Sequence, residues 1–225
     1  ELMWQDILAS PLVGMDETSL QVLKEPGKKN ATKSYMWVFR GGGGERPVVM
    51  FRYTPGRGSE FVNREFSGYT GAIMTDGYQG YDELGSKEGV VHAACWAHVR
   101  RKFMEALKGN ADQSLAHAVI EFIRQLYAVE SDIREQGYGP EKIHELRQKI
   151  SLPVVRKVEE LLKKQVHHIA PKSLTGKAIS YTLNLWARLC VYCDNPLIPI
   201  DNNPVENAIR PFVVGRKNWL FSGSP

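Results

Sequence analysis

The sequence contains no apolar run near the ~18 residues of a membrane-spanning helix and no signal peptide, so neither a spanning protein nor a secreted precursor is expected. Cysteine is scarce. Cys95, Cys190 and Cys193 are the only three, an odd number that builds no secreted disulfide framework and suits a reducing cytosol. There is no internal repeat, and the only low-complexity tract is the four glycines Gly41 to Gly44. Charge of one sign does not dominate: the formal net charge is +4 and the pI near 8.9. That balance permits a nucleic-acid partner without demanding one, so the placement of the basic residues matters more than their total.

What remains is an ordinary globular composition, 43% hydrophobic and 24% charged over 225 residues. This is enough to bury a core and hold one domain plus an insertion. The chain opens on Glu1 and stops at Ser224-Pro225, which reads as an excised fragment. Its first part reads as strands. Leu12 to Leu23 is apolar and β-branched around Asp16, and Lys33 to Arg40 alternates, with Tyr35, Trp37 and Phe39 on one face and Met36 and Val38 on the other. Gly41 to Gly44 makes a turn into a partner strand, Pro47 to Tyr53. Ser59 to Phe66 reads as a short helix, and Ala72 to Thr75 and Val90 to Ala94 as short buried strands. From Ala97 the period changes to three and four. Leu115, Val119, Phe122, Ile123, Leu126, Val129 and Ile133 form one helical stripe ended by Gly137. Further helices are expected from Ile143, with an interruption near Pro153, and along Ala178 to Tyr192. From about Ala111 to Tyr192 the segment is expected to be all helical. A last helix starts near Asn203.

Three acids stand out, each on its own element: Asp16 in a strand, Asp76 just past one, and Glu206 at a helix start. Aspartate is depleted in strands and costly to bury, so Asp16 is the hardest to dismiss as structural. Asp76 before Gly77 is also a common turn pair. Glu206, three residues after Asn203 with Pro204 between them, also completes a capping-box-like pattern. Taken together, oxygen ligands of this kind suit a hard divalent cation, and two such cations can assist a phosphodiester displacement.

Five ordered segments carry a resemblance: Asp16-Glu17-Thr18, Thr75 to Tyr81, Cys95 to Phe103, Asp201 to Glu206 and Gly215 to Phe221. Over nearly the whole chain they are similar to the DDE transposases of the bacterial insertion-sequence-66 family. The resemblance implies an α/β ribonuclease H-like mixed sheet, three antiparallel strands then two more, with a large all-helical insertion before the last core helix. The expected boundaries are a first core part at 1–96, the insertion at 97–195, and core completion with the glutamate-bearing helix at 196–225. It implies that Asp16, Asp76 and Glu206 are the catalytic metal ligands, with Mg2+ or Mn2+ as cofactor. It implies cleavage and strand transfer on DNA, both transposon ends and target, by a homo-oligomer assembled on DNA in the bacterial cytoplasm, nucleoid-associated and without a membrane partner. Full-length members carry N-terminal zinc- and DNA-binding parts. A nuclease of the same fold that only hydrolyses DNA, or an inactive DNA-binding or assembly module, are the competing readings.

The basic residues cluster beside two of these segments. Arg100, Arg101 and Lys102 follow the last short strand, and Arg210, Arg216 and Lys217 follow Glu206 with Trp219 alongside. Such cations neutralise phosphates and an aromatic stacks on an unpaired base; the alternatives are a solvated face and a core tryptophan. In Cys95-Trp96-Ala97-His98 the histidine resembles one that follows the second aspartate in several DDE groups, where it touches the active site or DNA. A helix-start histidine held by a hydrogen bond reads equally well. With Cys190 and Cys193 the pair also has the ligand types of a structural zinc site, although cysteines in an apolar helix pattern are more often small buried hydrophobes.

Overall fold

The structure, a computed structural model, describes residues 1–42, 47–109 and 113–225. Gly43 and Gly44 of the expected turn, and Ala111 at the expected start of the helical segment, lie outside the described residues. The chain divides into two compact units, one formed by residues 1–92 and 202–225 and the other by residues 93–201.

The first unit holds an α/β layer arrangement. A short helix, α1 (Leu2–Leu8), precedes β1 (Leu12–Gln21), β2 (Lys33–Gly41) and β3 (Val48–Thr54). Then come α2 (Ser59–Glu65), β4 (Gly71–Thr75), a 3-10 turn at Gln79–Tyr81, α3 (Asp82–Gly85) and β5 (Val90–Ala94), whose last two residues fall across the division. The sheet order is β3-β2-β1-β4-β5. β1 to β3 form an antiparallel meander, whereas β1 and β4 are parallel. The alternation in β2 has a physical basis on both faces. Trp37 and Phe39 enter a core with Val13, Met15, Ile73, Phe66 and Tyr81. Val38, on the other side, packs with Val205 and Ile209 of the last helix, α10 (Asn203–Trp219). Neither face of β2 is left to solvent at this point, which explains its near-continuous apolar run.

The second unit is helical beyond the end of β5: α4 (Trp96–Ala106), α5 (Ser114–Gln136), α6 (Pro140–Leu146), a π-turn (Arg147–Ser151), α7 (Leu152–Gln165), α8 (Leu174–Asn184) and α9 (Trp186–Asp194). Among the described residues from 113 to 192 there is no strand. The 23-residue stripe of α5 ends where Gly137 takes φ +63 as its left-handed cap, a backbone that glycine adopts without penalty. One expectation is refined and one corrected. The α-helix is interrupted near Pro153, but at the π-turn Arg147–Ser151 just upstream, and Pro153 itself lies in the first turn of α7. A proline lacks its N–H and crowds the carbonyl four residues back, and the wider π-turn just upstream accommodates it. The stretch 178–192 is two helices rather than one. Leu185, at φ −99 and ψ 7, leaves helical geometry between α8 and α9, and Trp186 then meets Trp96 edge-on at 6.1 Å.

The π-turn carries a buried cation. Arg147 pairs with Glu130 of α5 through Nε and Nη2 at 2.9 and 2.7 Å. Its Nη1 donates to the carbonyls of Tyr192, Asn195 and Ile198 at 2.8, 3.2 and 3.0 Å. One side chain thereby closes the end of α9 and the loop that follows it.

Candidate active site

The parallel pairing of β1 and β4 sets the level of two carboxylates. Leu12 pairs with Ala72, Val13 with Ile73 and Gly14 with Met74. Two positions beyond that last pair stand Asp16, midway along β1, and Asp76, just past the carboxyl end of β4, where open α/β folds build their sites. Val13, Met15 and Ile73 are in the core, so alternation sends Gly14 and Asp16 to the opposite face. Gly14 is the reason α10 can lie there. A Cβ at this position would sit 2.3 Å from Val205 Cγ2 and 3.0 Å from Asn202 Oδ1. Asn202 Nδ2 also donates to Met15 O at 2.8 Å. With Val205 seated on Gly14 and on Val38, the strand partner of Asp16, the next residue along α10 is Glu206.

The electrostatics agree with that placement. The Asp16 carboxyl is pushed from 3.8 to about 7, first by burial and then by the charge of Glu17, with Asp76 and Glu206 adding to it. The Glu17 N–H donated to Asp16 Oδ1 at 2.8 Å works in the other direction. Asp76 Oδ1 accepts the N–H groups of Gly77 and Tyr78, both at 2.8 Å, so the turn also holds the carboxylate in one direction. Among the described residues the ligand oxygens of the three acids do not form a group within 4.8 Å of one another, as expected where like charges face each other. The capping-box alternative for Glu206 does not take the expected form. The residue at the helix cap is Asn202, with no side-chain capping bond, and Asn203 is already inside the helix.

The family model described as "Transposase IS66 family" matches residues 1–225, the whole chain. The chain belongs to the IS66 transposase family. It is 36% identical, over 93% of its length, to the uncharacterized protein y4qI of Sinorhizobium fredii, of which it covers 40%. It is 29% identical over 97% of its length to y4jD of the same organism, covering 44% of it, and 23% identical over its full length to y4hP, covering 43%. The chain therefore spans less than half the length of these curated relatives. No solved structure matches it.

Around the acids of this IS66-family chain lies a second set of residues to which sequence reasoning gave no role. Glu17, next to Asp16, points into the core face with its side chain 1% exposed. Its Oε1 accepts Arg57 Nε at 2.7 Å and Arg57 Nη2, and its Oε2 accepts the hydroxyl of the buried Tyr81. Burial nevertheless leaves its carboxyl above the usual glutamate range. Two successive acids in a strand were the available signal, because alternation must turn one of them inward.

The basic positions divide between the two units. Arg100 and Arg101 are exposed on α4. On the same helix the N–H of half-buried His98 reaches the carbonyl of Cys95 at 3.2 Å. Arg210 and Lys217 are exposed on α10. Arg216 is engaged within its own unit, donating to Thr18 Oγ1 at 2.7 Å and to Ser19 O. Trp219 is half open and lies edge-on to Phe212 at 5.7 Å. Among the described residues Cys95, His98, Cys190 and Cys193 do not assemble as one metal-ligand group. Burial pushes the Cys190 and Cys193 thiols up to about 11 and about 12, which favours protonated sulfur over the thiolate that zinc takes. Among the described residues no helix is long and apolar enough to cross a membrane.

Proposed function

We propose that the chain is the catalytic domain of a DDE-type DNA transposase with a ribonuclease H-like core, and that Asp16, Asp76 and Glu206 are its catalytic, metal-holding residues. The observation that carries this reading is the parallel β1–β4 pairing that sets Asp16 and Asp76 at one level, with the start of α10 seated on Gly14 beside them. Burial first, then Glu17, and then Asp76 and Glu206 push the Asp16 carboxyl up to about 7. Crowding acids in this way works against folding unless a cation is to be held there. The donors are all oxygen, which fits Mg2+ or Mn2+ better than a soft metal. When bound, such a cation supplies positive charge to the attacking and departing oxygens of a phosphodiester displacement.

The work of the chain itself is orientation. The Asp76 turn fixes one carboxylate, the Gly14–Val205 contact delivers Glu206, and the Glu17 N–H holds Asp16 Oδ1. The antiparallel meander joined to a parallel β1–β4 pair supports the ribonuclease H-like reading, with the helices of residues 93–201 as its insertion. DNA is the substrate. Water first frees a 3′ hydroxyl, which then attacks the target strand. His98, Arg100, Arg101, Arg210, Lys217 and Trp219 are the proposed backbone and base contacts, and assembly on DNA as a homo-oligomer in the bacterial cytoplasm accompanies them.

The test is nicking of supercoiled plasmid in Mg2+ or Mn2+, together with joining of a 3′-hydroxyl oligonucleotide into the plasmid. The native chain is expected to do both. Asp76→Asn should do neither while keeping its DNA affinity, because it removes a ligand rather than a phosphate contact. Nicking without any joined product would identify a hydrolytic nuclease, and absence of nicking with either metal would overturn the reading.

A further inference from the structure

Arg57 lies in Thr54-Pro55-Gly56-Arg57-Gly58, the connection from β3 to α2. That connection is pinned on both sides of the arginine. Trp37 Nε1 donates to Thr54 Oγ1 at 2.6 Å, and Thr54 Oγ1 donates to Gly56 O at 2.6 Å. The Tyr78 hydroxyl donates to the carbonyl of Arg57 itself. The side chain is held as firmly. Besides the two donations to Glu17, its guanidinium carbon lies 3.5 Å from the centre of the Tyr78 ring and 5.8 Å from that of Tyr35. Tyr78 is in turn fixed to Asp76 through its backbone N–H.

The exposures are unequal. Glu17 is 1% exposed in its side chain and Arg57 is 37% exposed. A buried carboxylate tied to a cation contributes little net stability, because desolvation offsets the attraction. What this pair does supply is a cation of fixed direction, stacked on the Tyr78 ring whose backbone N–H holds Asp76. Asp16, Asp76 and Glu206 would repel a polyanion, so a phosphodiester strand drawn to this edge needs a cation already in place.

We propose that Arg57 is a DNA-backbone contact: its guanidinium, braced from beneath by Glu17 and stacked on Tyr78, takes a phosphate of the strand that lies across the carboxylate centre. This rests on the reading of Asp16, Asp76 and Glu206 as a DNA-cutting site. A planar guanidinium presents a fork that matches phosphate oxygens, and stacking on an aromatic face leaves the edge of that fork available. The contact positions the strand and reads no base.

The experiment is a salt series of fluorescence-anisotropy titrations on the 225-residue chain, using two duplexes of unrelated sequence in EDTA, so that no cleavage interferes. Arg57→Ala is expected to weaken both duplexes alike and to flatten the dependence of log affinity on log salt by about one. Arg57→Gln, which can still hydrogen-bond Glu17, should do the same and serves if circular dichroism shows the alanine variant unfolded. Arg57→Lys should keep the salt slope, since the charge remains, yet lower the cleavage rate, since the fork is lost. A folded Arg57→Gln protein with native affinity and slope would overturn the proposal and leave Arg57 as the counter-ion of Glu17 alone. The two readings separate cleanly. A flattened slope with no nicking in any protein would keep the contact and remove the proposed activity. Native nicking with an unchanged slope would do the reverse.

Discussion

Replacing Asp16 with asparagine should stabilise the metal-free protein at neutral pH while abolishing cleavage. Asparagine keeps the shape and can still accept the Glu17 N–H, but it carries no charge to be buried or to be crowded by Glu17, Asp76 and Glu206. The sign follows from the raised carboxyl. In the unfolded chain Asp16 ionises near 3.8 and in the folded one near 7, so the native state binds the proton more tightly. The stability this contributes is fully present below pH 3.8 and is lost as pH rises to about 7. The gap between the two values corresponds to on the order of 4 kcal/mol. This is an upper bound, because local opening and water entry relieve part of the cost. Urea denaturation in EDTA at a series of pH values measures it. The advantage of Asp16→Asn over the native chain should be near zero at pH 4, grow by at most about 1.4 kcal/mol per pH unit, and level off above pH 7. Added Mg2+ should then stabilise the native chain and leave the variant unchanged, since only the former gains a ligand-linked term. A difference that stays flat across pH, or a variant less stable at pH 8, would refute the raised Asp16 carboxyl.

Other perturbations address how the site is held. Gly14→Ala places a methyl against Val205, and the displaced α10 should cost about 1–3 kcal/mol and remove cleavage; adding Val205→Ala should recover most of the melting temperature, and equal losses in the single and double variants would refute the contact. Arg216→Ala frees the Thr18 hydroxyl and the Ser19 carbonyl and should lower stability by about 1–3 kcal/mol in thermal melts, whereas an unchanged melting temperature with weaker DNA binding would return this arginine to the DNA face. Arg147→Ala strands Glu130, whose side chain is 13% exposed, and should cost roughly 3–5 kcal/mol by urea denaturation; a loss under about 1 kcal/mol would show the pair to be solvated.

The parts of the fold legible in the sequence are those decided by local patterning. Alternation at Tyr35 to Phe39 gave β2 its faces because both meet apolar partners, and glycine ended α5 where only a left-handed residue fits. The parts that were hidden turn on long-range partners. Asn202 and Asn203 have the same capping chemistry, and Asn202, the one at the cap, turns its side-chain N–H to Met15 O, 187 positions away. Pro153 signals trouble for a helix, yet periodicity cannot register the single wider turn at Arg147–Ser151 that absorbs it. The break at Leu185 has neither glycine nor proline to announce it.

Strand β1 shows where such reading can be extended. Alternation forces Asp16 and Glu17 to opposite faces, so one of them must enter the core, and a carboxylate in a core must find a cation or a strong donor. That much follows from two adjacent letters. The identity of the partners does not, because Arg57 and Tyr81 lie 40 and 64 positions further along. Once they are known, the two acids take different duties. The outward carboxyl is under the charge of Asp76 and Glu206 and, on the proposed reading, is the one left for a cation. The inward one is spent on Arg57 and Tyr81, and through Arg57 and Tyr78 it is tied back to the turn that aims Asp76. On the proposed reading, one strand thereby supplies both a ligand and the brace for the ligand opposite.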